Sequence, residues 1–291
     1  MKTVKILSNQ NKIYNEVTTN ASYNNLQEDF SIRVVVQGHE RFRIGKRNLT
    51  LHPSSFLAIN EATVFSSSVY ADVPVNTFAI LYSPAFLKTF HRDYLLSETA
   101  LLDDPFNTGD THTATFLETL YPFNGDMMFN LLHLKHHLEN SPHDEILISE
   151  YLYCCLLNFY KLYDNEIIAK KNQLTVLNPG TRAELFRRLN NAKDYILSNY
   201  NQSISIQEIS SHACLSEIHF FRSFKQIYNC SPHQYLIQAR LNNARYMLKN
   251  TSYALSEIVN LIGFDNTSSF IRLFKERFGD TPGNFRGKIV A

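Results

Sequence analysis

The chain has 291 residues, 44% of them hydrophobic, with a net charge of +1. That length suits one large domain or two ordinary ones, with enough apolar residues for real cores. The longest apolar runs, such as residues 151–159, fall far short of the roughly 20 residues of a membrane span, and residues 1–10 lack the apolar block of a signal peptide.

The four cysteines are Cys154, Cys155, Cys214 and Cys230. Their spacing builds no disulfide framework and no C-x-x-C pair, the usage of a reduced, cytoplasmic protein. Charge is divided unevenly along the chain. Residues 182–291 hold 14 Lys and Arg against 8 Asp and Glu, whereas residues 1–181 hold 14 against 19. A basic end behind an acidic body fits a nucleic-acid contact confined to that end.

In chain order, residues 30–82 read as β-structure. Apolar runs at 30–36, 41–44, 49–51, 56–59 and 75–81 are separated by turn signals, among them Gln37-Gly38 and a hairpin tip at Gly45-Lys46. Ser83-Pro84 then combines an N-cap with a proline at the first helical position. Residues 84–96 follow with helical spacing. The stretch 97–126 carries Pro105, Gly109, Pro122 and Gly125 and reads as loops. Helices are expected at 131–139 and 144–163, the second with an apolar stripe that includes Leu152 and Leu156. That stripe packs either on its own domain or against a second subunit. The polar stretch 170–181, with Asn178-Pro179-Gly180, reads as a linker.

Beyond residue 182 only helix signals appear, at 183–199, 206–212, 216–228, 232–250, 256–262, 267–278 and a short piece near Pro282. Within them the chain matches itself about fifty residues apart. Phe220-Phe221-Arg222-Ser223-Phe224-Lys225 aligns with Phe270-Ile271-Arg272-Leu273-Phe274-Lys275, Pro232 with Pro282, and Tyr235 with Phe285. Upstream, Glu208-Ile209 aligns with Glu257-Ile258 at an offset one residue shorter. Each copy reads as short helix, turn, capped helix and proline-started helix, the plan of a helix-turn-helix unit. In the first copy Ile206 and Ile209 are expected in the core, Cys214-Leu215 in the turn and Ser216 at the cap. In the second, Ile258, Ile262 and Phe264 are expected in the core, Gly263 in the turn and Asp265 or Asn266 at the cap. Phe220, Phe224, Phe270 and Phe274 should pack inward. The outer faces then carry Ile218, Phe221, Arg222 and Lys225 on one helix and Ser268, Ser269, Arg272 and Lys275 on the other. Arginine donates two hydrogen bonds to guanine, isoleucine and phenylalanine can meet thymine methyls, and lysine suits phosphate. A solvated helix face is the bland alternative.

The repeat resembles the DNA-binding domain of AraC/XylS-family regulators. Ala244-Arg245-Tyr246-Met247-Leu248, Ser256-Glu257-Ile258, Gly263-Phe264-Asp265-Asn266, Ser269-Phe270, Leu273-Phe274-Lys275, Phe278-Gly279, Thr281-Pro282 and Phe285-Arg286 carry the resemblance. It implies an α+β protein of two domains. Residues 1–170 would form a β-sandwich or cupin-like sensor and dimerisation domain with following helices. Residues 171–181 would be the linker, and 182–291 an all-α domain of two helix-turn-helix units joined by a linking helix. The implied function is a sequence-specific transcription regulator on double-stranded DNA, with a homodimer, a small-molecule effector and, for an activator, RNA polymerase as partners. Phe30, Arg33, Phe42 and Arg43 are candidates for an effector pocket. The competing reading is a cupin-type enzyme with a DNA-binding appendage. Against it stand the missing H-x-H pair, G-x-S-x-G and P-loop. Neither the set His39, Glu40, His52 nor the set His133, His136, His137 is assigned a metal, and no cofactor is expected.

Overall fold

A computed structural model describes residues 2–95, 115–176 and 178–290. The chain divides into two compact units, Met1–Asp164 and Asn165–Ala291. Pro105 and Gly109, expected in loops, lie outside the described residues.

The first unit is an antiparallel sheet with helices. Its strands are β1 (Lys2–Ile6), β2 (Lys12–Leu26), β3 (Ser31–Gln37), β4 (Glu40–Ile44), β5 (Arg47–Leu51), β6 (Ser55–Ile59), β7 (Phe65–Leu81) and β8 (Leu120–Pro122). They run in the order β1-β2-β7-β3-β6-β8, with β4 between β5 and β7. β7 is shared by three partners. Its whole length pairs with β2, its first half with β4 and its second half with β3, so the sheet curls over itself. Pro74 interrupts β7 where the β2 pairing jumps from Thr18–Val75 to Asn20–Tyr70, a bulge in which its missing N–H leaves no ladder bond broken.

The five expected strands are present, and Gly45, with φ +57°, turns the hairpin from Ile44 to Arg47. β1 and β2 were not expected. Their residues alternate polar side chains with half-buried ones, a weak apolar signal. Pro122, expected in a loop, ends strand β8 instead, because Leu120 and Tyr121 pair with β6 and are buried.

Helices α1 (Pro84–Leu95), α2 (Gly125–Asn140) and α3 (Glu145–Tyr163) complete the unit. Ser83 caps α1, its Oγ accepting from the Phe86 amide at 3.3 Å. α3 lays its apolar stripe on the sheet. Phe159 meets Phe30, Phe56 and Tyr121 at ring distances of 5.6, 6.1 and 5.5 Å, and the Tyr82 hydroxyl donates to the Leu152 carbonyl at 3.0 Å. Leu152 and Leu156 are fully buried here. Of the two alternatives left open for that stripe, packing on its own domain therefore holds for these residues, rather than contact with a second subunit. A glutamate at either position would unfold the unit rather than separate protomers.

A second set of strand residues faces a small polar interior. The Arg33 guanidinium lies 4.6 Å from the Phe65 ring centroid, bonds the Glu28 carboxylate, and donates from Nε to Ser31 Oγ at 3.2 Å. Phe42 is buried, whereas Phe30 sits under α3 and Arg43 is exposed. Of the four pocket candidates, only Arg33 lines this interior, while Phe42 packs on Phe65 with ring centroids 6.2 Å apart. Glu40 is also buried, and burial raises its pKa to about 7 against the opposing pull of Arg33 and a Ser67 hydrogen bond. In the unfolded chain it ionises near 4.5. The proton it keeps when folded therefore stabilises the unit at low pH, and this contribution fades as pH rises from about 4.5 through about 7. Across that window Glu40→Gln should flatten a loss on the order of 3 kcal/mol, read as the thermal midpoint against pH. A wild-type midpoint that does not fall from pH 5 to 8 would refute this. His39, just before β4, has its ring 5.8 Å from that of His52. His133 Nδ1 lies 2.8 Å from the Phe129 carbonyl oxygen of its own helix. No group of three metal-binding side chains occurs among the described residues.

The second unit is helical. Asp164–Ala169 is a π-helical segment and Lys170–Asn172 a further turn. Then follow α4 (Pro179–Ser198), α5 (Ile206–His212), α6 (Glu217–Tyr228), α7 (Pro232–Asn250), α8 (Leu255–Leu261), α9 (Thr267–Phe278) and α10 (Pro282–Val290). The stretch expected as a linker packs within this unit. Leu174 is buried, Gln173 accepts from Gln226 at 2.9 Å, and Asn178 caps α4 by accepting from the Gly180 and Thr181 amides. Asn178-Pro179 is thus a helix start rather than a spacer. Among the described residues no helix is long and apolar enough to cross a membrane.

Candidate nucleic-acid interface

Two copies of one local design present this surface. In the first, Ser205 and Glu208 form a reciprocal capping box at the start of α5. The turn to α6 passes through Cys214 at φ +51°, and the turn from α8 to α9 passes through Gly263 at φ +75°. Flanking bonds repeat as well: Leu215 N donates to Ser210 O at 3.2 Å, and Phe264 N to Val259 O at 3.1 Å. Both outward helices end in left-handed caps, Asn229 at φ +55° and Gly279 at φ +80°. The sequence match is therefore also a match of backbone conformation at the turns and at the C-terminal caps.

The inner faces repeat too. Phe220, Phe224, Phe270 and Phe274 are fully buried. Phe224 meets Tyr235 edge-on at 5.5 Å, and Phe274 meets Phe285 edge-on at 5.7 Å. Each contact fixes an outward helix on the proline-started helix that follows it. The caps differ. Asn266 accepts from the Ser268 and Ser269 amides, whereas Ser216 occupies the cap position without a side-chain bond. Ser216 is therefore not the capping acceptor expected of it.

With the inner faces filled, Ile218, Phe221, Arg222 and Lys225 form an exposed stripe on α6. On α9, Ser268, Arg272 and Lys275 occupy the equivalent exposed positions. Ser269 stands off that stripe and is half-buried; it corresponds to His219, and the equivalent of Phe221 is Ile271, also half-buried. The fifty-residue offset already contained this correspondence. Ile206, expected in the core, is exposed at the first position of α5, whereas Ile209 and Ser210 on the same helical face are buried. Arg272 pairs with Glu276 at 3.8 Å, both side chains about 70% exposed, so a polyanion can exchange for Glu276 at little cost. Arg222 makes no ion pair among the described residues.

Not every cation of the unit is available. Arg240 donates to the Tyr200 and Gln202 carbonyls at 2.7 and 2.8 Å, and Arg245 covers the Phe278 ring at 4.9 Å. These hold helices together. Arg222, Lys225, Arg272 and Lys275 are exposed along matching helix faces.

Residues 209–288 match a family model described as a helix-turn-helix domain. The Msm operon regulatory protein of Streptococcus mutans is 32% identical over 112 residues, 38% of this chain and 39% of its own length. The probable transcriptional regulator LumQ of Photobacterium leiognathi is 28% identical over 153 residues, 53% of this chain and 55% of its own length. The chain thus spans about half or less of these curated relatives. Among solved structures, a transcriptional regulator from Chromobacterium violaceum with an AraC-type DNA-binding domain is 27% identical, with 38% of this chain and 96% of that chain covered at a TM-score of 0.35. The duplicated motif and the matched residues 209–288 identify a helix-turn-helix domain in the C-terminal unit, similar to that of curated transcriptional regulators.

Proposed function

We propose that the protein is a sequence-specific transcription regulator that binds double-stranded DNA in the cytoplasm and is not an enzyme. The observation that carries this reading is the pair of outward stripes on α6 and α9, each with an arginine and a lysine at matching positions. One recognition helix of this kind fits one major-groove segment, and two in one chain fit two consecutive segments. Arg222 and Arg272 contact base edges, and Lys225 and Lys275 contact phosphates. Ile218, Phe221 and Ser268 belong to the same surface, and half-buried Ser269 borders it. The first unit is a cupin-like sensor and dimerisation domain, its small-molecule effector held in the interior beside Arg33 and Glu40. The protein acts as a homodimer and, where it activates, engages RNA polymerase.

The test is fluorescence anisotropy of the full chain on duplexes enriched from a random pool, compared with random duplex. Affinity should fall steeply with salt as neutralised phosphates regain their counterions. Arg222→Ala and Arg272→Ala should each cost about 1–3 kcal/mol on the enriched duplex and relax preference at one position. Equal losses on random duplex would show that both residues touch only phosphate. Failure to enrich any duplex would refute the function itself.

A further inference from the structure

The two stripes share their cations and differ in what lies between them. On α6 the centre is apolar, with Ile218 77% and Phe221 45% exposed. Exposed Ile206 and buried Pro232 join them, with Glu217, Arg222 and Lys225, in lining a groove of about 870 Å³. On α9 the matching positions hold Ser268 and half-buried Ile271. The fold of α6 does not need its exposed apolar pair, because Phe220, Phe224 and Ile227 already fill the inner face. Contiguous exposed apolar surface of this kind marks a contact site.

The surroundings select the occupant. Arg222 and Lys225 follow Ile218 and Phe221 on the same helical stripe, so the apolar pair is bordered by cations at its C-terminal end. A DNA major groove offers the complementary groups, phosphates along its rim and the thymine methyl as the apolar group on its floor. Glu217, the acidic residue of the lining, is repelled by phosphate and accepts from a base amino group such as cytosine N4. It therefore favours the groove floor over the rim. We infer that the α6 unit reads thymine methyls through Ile218 and Phe221, and that the α9 unit does not read its segment this way. The inference rests on the DNA-binding reading above and makes each site chemically directional.

The experiment uses the full chain and its enriched duplexes, with deoxyuridine replacing thymidine one position at a time. Deoxyuridine pairs as thymidine does but lacks the methyl. Affinity should fall about fourfold for each methyl contacted, the factor for withdrawing one CH₂-sized group from water. The sensitive positions should cluster in one of the two contacted segments. The double variant Ile218→Ser with Phe221→Ser should lose that sensitivity, with far-UV circular dichroism confirming its fold, while Arg272→Ala should keep it. Indifference to deoxyuridine at every position overturns the inference and leaves DNA binding intact. So does a double variant that keeps methyl sensitivity but loses self-association in sedimentation, since the groove would then be an interface between copies. If no duplex is enriched, both readings fall together.

Discussion

Gly263→Ala is expected to destabilise the helical unit by about 3 kcal/mol or more, since a left-handed backbone penalty of roughly 1–2 kcal/mol adds to a steric clash. Gly263 has φ +75°, and a Cβ there would stand 2.6 Å from the Asn201 carbonyl oxygen and 2.8 Å from its carbonyl carbon. Those are backbone atoms and cannot swing aside like a side-chain tip. The loop that contains them is pinned as well, because Arg240 holds the Tyr200 and Gln202 carbonyls on either side of Asn201. Cys214 occupies the same position in the other copy, at φ +51°, and is exposed. Cys214→Gly should therefore be neutral or stabilising by up to about 1 kcal/mol. Urea unfolding of the full chain, followed by far-UV circular dichroism, separates the two. A wild-type midpoint for Gly263→Ala would show that the loop at Asn201 yields.

Inserting five base pairs between the two contacted segments should lower affinity about a hundredfold or more, the scale of losing one of two linked binding modules. Half a helical turn carries one segment to the opposite face of the duplex. Helix α7 does not allow the protein to follow. Its 19 residues span about 28 Å at 1.5 Å per residue. Helices α4, α6, α8, α9 and α10 all pack against it. Groove segments on one face of the duplex recur every 34–36 Å or so, and bending the DNA closes a shortfall against that repeat. Inserting ten base pairs restores the face but lengthens the gap by a full turn, and should recover little. Affinity that survives the five-base-pair insertion would mean that only one helix reads DNA, or that α7 is not rigid.

The helical unit was legible in the sequence because its determinants are local. A buried phenylalanine pair four residues apart, a left-handed residue and a Ser-Pro or Thr-Pro start each act within one turn, and all of them recur. Ile206 was misread because its spacing does place it on the face of Ile209 and Ser210, yet as the first residue of a seven-residue helix it is 37% exposed. Ser216 was misread because residue type suggests a cap but does not ensure the bond. In the first unit the determinants are distant. β2 owes its existence to pairing with β7, which places Lys12 opposite Leu81, and nothing in its own polar alternation demands a strand. The α3 stripe was visible, but periodicity cannot say what covers it; the rings of Phe30, Phe56 and Tyr121 do. On the candidate surface, the stripe positions followed from the repeat, while the Arg272–Glu276 pair required the structure.

Those pairings also set how fast each part of the chain assembles. The strand partners Lys12 and Leu81 are far apart in sequence, so much of the first unit's sheet cannot form until a long loop has closed. The helices of the second unit pack on elements nearer in the chain than that, α4 on α5 and α10 on α7 among them. By the dependence of rate on contact order, the helical unit should fold in microseconds to milliseconds and the sheet in milliseconds to seconds. The sheet unit leaves the ribosome first and is the slower to assemble, while the helical unit can complete its fold soon after it emerges. A stopped-flow refolding trace of the whole chain should then split into two phases, the fast one carrying most of the helical circular dichroism and the slow one the burial of the aromatic cluster beneath α3.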